Sequence, residues 1–182
     1  MAVNRRSAIK QLLYVSAGMA LLPACLQNTS RASLALKNIS VDGDQEKMLA
    51  ELVETIIPTT TTPGAKELSA HLFTLIMMDD CYKKEDQQRW LKGMKAFEQA
   101  SKKLNGQHFL ESTAPQRAAL LTSLETSKDD SDAAFFYRAT KGLTIQAYTS
   151  SKYFLTKVNI YELVPARFHG CVPLKPITHK LS

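Results

Sequence analysis

The sequence lacks the short motifs by which many enzymes are recognised. It contains no GxSxG nucleophile elbow, no HExxH metal motif, no glycine-rich phosphate loop and no GxGxxG dinucleotide fingerprint. Catalysis needs a nucleophile, a metal or an acid–base pair brought together, and no pattern of that kind stands out. We therefore expect no catalytic residue, no metal site and no cofactor in this chain.

Acidic residues are missing from one region. Residues 1–24 contain none, although they include Arg5, Arg6 and Lys10, so part of the formal charge of +6 belongs to the N-terminus. Lysines and arginines do not form runs interleaved with aromatic residues, which argues against nucleic-acid binding. The basic character instead indicates targeting.

The first 24 residues have the form of a secretory signal. A basic head is followed by an apolar stretch, residues 12–22, that is short for a membrane span. Arg5 and Arg6 resemble a twin-arginine export signal, although Ala8 replaces the usual large apolar residue and a general secretory signal is the alternative. Either signal predicts a periplasmic protein.

Cysteine is also scarce, with Cys25, Cys81 and Cys171 as the three in 182 residues and no CxxC pair. Residues 22–25, Leu-Pro-Ala-Cys, resemble a lipoprotein cleavage box, so we expect Cys25 to carry a lipid anchor and 25–41 to be a tether to the membrane. The alternative is ordinary cleavage followed by an unmodified cysteine. In the periplasm, Cys81 and Cys171 can pair with each other; a bridge from Cys171 to a partner chain and two buried thiols are the alternatives.

The rest of the chain, 42–182, is predicted to be one all-α domain: a small helical bundle with an irregular C-terminal arm. Apolar residues recur at three- and four-residue spacing between recognisable caps and stops. The second segment is apolar around much of its circumference, and Gly142 inside the last helix suggests close packing. The predicted helices begin at Asp42–Asp44 and end at Pro58, cover about 66–81 and 85–104, open at Thr113, and run from Ser131 or Asp132 to about Tyr153.

Two groups of side chains are candidates for a functional site. Glu67 and His71 lie on one helix face, with Asp79 and Asp80 two turns further along, so a metal-dependent enzyme is the alternative to a surface pair or a capped histidine. The irregular arm carries aromatic residues beside an arginine, which suits a protein interface. The candidate interface residues are Tyr161, Arg167, Phe168, Cys171 and Leu174.

Several short motifs resemble the gluconate 2-dehydrogenase subunit 3 family. They occur in the family's order over about 45–175, and each alone is weak. They are Glu54-Thr55-Ile56-Ile57-Pro58, Thr62-Pro63-Gly64-Ala65, Asp80-Cys81-Tyr82, Leu143-Thr144, Tyr148-Thr149-Ser150, Val164-Pro165-Ala166-Arg167-Phe168 and Gly170-Cys171-Val172-Pro173-Leu174.

The resemblance implies a non-catalytic small subunit that helps to export and assemble a membrane-associated dehydrogenase. The family does not require a lipid anchor, so the anchoring of this chain is expected from Cys25 alone. The large partner subunit would bind FAD and oxidise a gluconate, sugar or polyol, and a cytochrome c subunit with haem c would accept the electrons. The alternative from the residues alone is a free-standing lipoprotein that binds a small ligand in a pocket lined by few polar groups.

Overall fold

A computed structural model describes residues 32–127 and 129–159. Over these residues the chain forms α-helices joined by short turns, with no β-strand, so the predicted all-α bundle is confirmed. The helices are α1 (Gly43–Ile56), α2 (Ala70–Cys81), α3 (Lys84–Asn105), α4 (Ala114–Thr126) and α5 (Asp132–Thr149), with a 3₁₀ turn at Phe109–Glu111 and a π-helical turn at Phe154–Val158. The irregular arm lies outside the described residues.

The helix ends follow the local signals in the sequence. The Asp42 side chain caps α1 by accepting the backbone N–H groups of Asp44 and Gln45, and the Gln45 side-chain oxygen accepts the Asp42 N–H in turn. Gly106 ends α3 with a φ of 75°, a conformation that glycine adopts without strain. Thr113 and Gln116 form the capping box of α4, with Pro115 in its first turn.

Two helix boundaries differ from the predicted ones. α2 begins at Ala70 instead of about 66, because 65–69 form turns and Ser69 has a φ of 56°. α5 ends at Thr149 instead of continuing to Tyr153, and the backbone widens into the π-helical turn.

The core is centred on the contact between α3 and α5. Trp90 and Phe97 of α3 are fully buried against Phe136 of α5, with ring centroids 5.1 Å and 5.4 Å apart. Phe97 also packs against Phe109 of the 3₁₀ turn, at 5.0 Å. The Trp90 indole donates to the Thr140 hydroxyl, which satisfies its buried N–H group.

A glycine allows these two helices to approach. A Cβ atom at Gly93 would overlap the carbonyl oxygen of Asp132 and lie 2.7 Å from the Phe136 Cβ. Gly142, which the sequence suggested as the point of close packing, would place its Cβ in open space. That suggestion was wrong, because periodicity does not show which side of a helix a neighbour approaches.

Candidate functional site

The loop after α1 is built by the motif residues that follow it. The Glu54 carboxylate accepts the N–H groups of Thr59 and Lys66, at 2.8 Å and 3.3 Å. Gly64 is buried so tightly that a Cβ would lie 2.6 Å from a Glu54 carboxylate oxygen. The Tyr148 hydroxyl donates to the Pro63 carbonyl at 3.2 Å. These motif residues hold the loop against α5.

A second anchor holds the segment before α1. The buried Asp79 carboxylate accepts three backbone N–H groups, from Lys37, Asn38 and Ile39, at 2.7–2.8 Å. Burial on its own would raise the pKa of Asp79, but these hydrogen bonds outweigh it and lower the pKa. We name this arrangement the Asp79 clamp.

The Asp79 clamp lies within the segment 25–41, which the sequence predicted to be a tether to the membrane. Its described part, 32–41, packs on the bundle: Ile39 and Val41 are buried and Leu34 and Leu36 lie against the core. Ser33 also donates to the Glu46 carboxylate, through both its N–H and its hydroxyl. The folded body therefore includes these ten residues.

The carboxyl end of α2 carries the Asp-Cys-Tyr motif. Asp80 and Cys81 are exposed, whereas Tyr82 packs against the core. Buried Gln87 donates to the carbonyl groups of Met78 and Asp79, and so closes the end of the helix. The predicted bridge from Cys81 to Cys171 stays a prediction, because Cys171 lies outside the described residues.

The residues considered for a metal are not brought together. Asp79 is occupied by backbone N–H groups, while Glu67 and Asp80 are exposed. Over 32–127 and 129–159, no group of three or more His, Cys, Asp or Glu side chains is arranged to hold a metal ion. The Nδ1 atom of His71 is buried without a hydrogen-bond partner in that part of the chain, and burial lowers the pKa of His71.

One side of α2 presents apolar side chains to the outside. Leu72 and Phe73 are partly exposed, and Ile76 keeps 44% of its surface accessible. We name these three residues of one helix the α2 face. Exposed apolar residues grouped on one side of a helix are typical of surfaces that bind other proteins.

A groove of about 560 Å³ lies between the start of α1, the middle of α3 and the 3₁₀ turn. Met48, Met94 and Leu110 supply its apolar lining, and four carboxylates stand around it with one lysine and one histidine. Sequence reasoning missed this groove, because its lining comes from three separate segments. The charged lining residues are Asp42, Asp44, Glu98, Glu111, Lys95 and His108.

Hydrogen bonds hold part of this charged rim in place. The Glu98 carboxylate lies 3.0 Å from the His108 Nδ1 and accepts the Phe109 N–H, while Glu111 accepts the His108 N–H. A free-standing lipoprotein was expected to have a ligand pocket with few polar groups. The acidic rim fits a basic and apolar occupant better than a neutral small molecule.

The predicted export and anchoring residues, Arg5, Arg6 and Cys25, lie outside the described residues, as do all the candidate interface residues of the arm. None of the helices in the described ranges is both long and apolar enough to cross a bilayer.

The architecture defines a small helical protein in which motif residues hold the loop after α1 and Asp79 holds the segment before it. The chain matches the family described as Gluconate 2-dehydrogenase subunit 3 over residues 43–166, and it belongs to that family. Comparison with curated proteins and with solved structures finds no match. The match begins at the first residue of α1 and includes every α-helix described above.

Proposed function

We propose that this chain is a non-catalytic small subunit of a periplasmic FAD-dependent dehydrogenase that oxidises a gluconate, sugar or polyol. It assists the export, assembly and membrane association of the large flavoprotein subunit, and a cytochrome c subunit with haem c completes the complex. The observation that carries this proposal is the family match over residues 43–166.

The α2 face supports a role in binding another protein. Leu72, Phe73 and Ile76 follow one another along a helix whose opposite side is buried in the core. Covering large apolar side chains on association removes them from water, at about 25 cal/mol per Å² of apolar surface. We infer that the α2 face contacts the flavoprotein, together with the arm residues Tyr161 to Leu174.

Export and anchoring belong to the N-terminus in this proposal. Arg5 and Arg6 direct a folded complex to the twin-arginine pathway, and acylated Cys25 holds it at the membrane. The Asp79 clamp supports this arrangement, because it ties residues 37–39 to the folded body. A signal joined to such a segment would travel with a bundle that has already folded.

Affinity isolation tests the partnership. The tagged chain is purified from the membranes of its own organism, and the associated proteins are examined by mass spectrometry and flavin fluorescence. We expect an FAD-containing dehydrogenase subunit in stoichiometric amount. Recovery of the chain without any flavoprotein contradicts the proposal.

A matched pair of variants tests the α2 face. Ile76→Asp places a charge on this face, whereas Leu104→Asp places one on an apolar residue of α3, 53% exposed, away from it. We expect Ile76→Asp to reduce flavoprotein recovery about tenfold or more, and Leu104→Asp to leave it unchanged. Equal recovery with both variants would remove the α2 face from the interface.

The anchoring and export steps have separate tests. Radiolabelled palmitate should enter the chain but not the Cys25→Ser variant, and that variant should leave the membrane fraction. If export uses the twin-arginine pathway, replacing Arg5 and Arg6 with lysine should stop export of both subunits. Continued export of the double variant indicates the general secretory route.

A further inference from the structure

We name the groove between α1, α3 and the 3₁₀ turn the acidic groove. We propose that it binds this chain's own C-terminal arm, with Phe168 on the apolar lining and Arg167 against the carboxylates. The inference concerns the free chain and goes beyond the proposed function, since it requires no partner. Three observations carry it: the charges of groove and arm, the chemistry of the lining, and the distance that the chain must cover.

The charges of the two surfaces are complementary. Four carboxylates line the groove against Lys95 and His108. Residues 160–182 contain a single acidic residue, Glu162, against Arg167, Lys175, Lys180 and two histidines. An arginine can form paired hydrogen bonds to a carboxylate, and these charge-assisted bonds are stronger than neutral ones. Glu98 and Glu111 are already oriented by their bonds around His108.

The lining suits an aromatic side chain. Leu110 of the 3₁₀ turn, 37% exposed, offers the accessible apolar surface, and the almost fully buried Met48 and Met94 lie behind it in the lining. Methionine sulfur makes favourable contacts with aromatic rings, and its flexible side chain adapts to their shape. Phe168 follows Arg167 directly in the arm. One dipeptide therefore offers the two groups that the groove can receive.

The chain is long enough to reach. Tyr148 bonds to the loop after α1 and packs against Phe154, so the described chain finishes near the carboxyl end of α1. The groove lies at the other end of α1, about 21 Å away at 1.5 Å for each of its 14 residues. About seven extended residues cover that distance, and Phe168 is the ninth residue after Asn159.

Photo-crosslinking tests the location of Phe168. The photoreactive residue p-benzoylphenylalanine is placed at position 168 of the full chain, which is purified without a partner, irradiated and digested for mass spectrometry. We expect intramolecular adducts on the peptides that contain Met48, Met94 or Leu110. Adducts on the α2 face, or between two chains, overturn the proposal.

Proteolysis provides an independent readout. An arginine-specific protease cuts after Arg167 when the arm leaves the groove, so the cleavage rate follows the open population. Leu110→Lys removes an apolar contact and adds a charge that repels the arm, and it should speed this cleavage about tenfold. Leu104→Lys is the matched control on α3 and should change nothing.

The proteolysis experiment can fail or succeed independently of the affinity isolation that tests the flavoprotein partnership. Equal cleavage rates in the native chain and in Leu110→Lys, both shown to be folded by their circular dichroism spectra, would overturn the proposal that the arm binds in the groove. That result would leave the affinity isolation of the flavoprotein unaffected, because no partner is present. Faster cleavage in Leu110→Lys, but not in Leu104→Lys, supports binding of the arm in the groove even if no flavoprotein is ever recovered.

Discussion

Helices α2 and α3 both pack against α5, but they meet their surroundings differently. The outer side of α3 carries Lys92, Lys95, Lys102 and Lys103, all exposed, as an amphipathic helix does in water. The outer side of α2 carries Leu72, Phe73 and Ile76. The two helices therefore share a core and differ in what they expose, and α2 has the side suited to contact another protein.

The largest expected effect tests the inner side of α3. Phe97→Ala removes a fully buried ring that packs between Phe109 and Phe136. We expect the free energy of unfolding to fall by about 4 kcal/mol, because both the buried surface and the packing are lost. Urea denaturation measures this loss. Leu104→Ala on the same helix is the control and should change stability by less than about 0.5 kcal/mol.

The next largest effect tests the Asp79 clamp, by which α2 holds residues 37–39. Asp79→Ala leaves three backbone N–H groups without their acceptor, and we expect it to cost about 3 kcal/mol at neutral pH. Because folding lowers the pKa of Asp79 below its usual 3.8, the clamp is fully stabilising above that pH and weakens as the pH falls through the folded value.

Thermal denaturation of both proteins between pH 7 and pH 2 measures this dependence. The difference in Tm between native chain and Asp79→Ala should be constant near neutral pH and shrink in acid. A difference that does not change with pH would mean that the carboxylate charge contributes nothing to the clamp.

A smaller effect tests the contact between α3 and α5. Gly93→Ala forces a Cβ into the Asp132 carbonyl and should destabilise the bundle by about 2 kcal/mol. Gly142→Ala meets nothing and should stabilise α5 by about 0.5–1 kcal/mol, because alanine favours helix interiors. Chemical denaturation of the two variants compares them directly. A shift of the same sign in both would contradict the distinction.

The smallest effect on stability is expected when the outer sides of α2 and α3 are each given a charge. Ile76→Lys and Leu104→Lys both charge an exposed position, so each should change the free energy of unfolding by less than about 0.5 kcal/mol. If the isolated chain self-associates through exposed apolar residues, analytical ultracentrifugation should show a decrease only with Ile76→Lys, because Ile76 lies beside Leu72 and Phe73 on one helix. Equal effects would show that the two outer sides behave alike.

Most of the helices could be predicted because their signals are local. The Asp42 cap, the Thr113 box and the Gly106 stop each act within one turn of helix, so neighbouring residues suffice to identify them. The start of α2 was misplaced by four residues, because turns at 65–69 depend on how the loop is held by Glu54 and α5.

The candidate site was harder to predict than the fold. Asp79 was considered as a metal ligand, yet it binds the backbone of a segment some forty residues earlier. The acidic groove combines α1, α3 and the 3₁₀ turn, and no spacing in the chain indicates that these segments meet.

The helical class, most helix ends and the family could be predicted from the amino-acid sequence, because periodicity, caps and short ordered motifs are properties of neighbouring residues. The folded structure was needed to show that Gly93 is the point of close helix contact, that 32–41 belong to the folded body, and that carboxylates surround Met48 and Met94. Each of these depends on residues distant in the chain, brought together by burial of a common core.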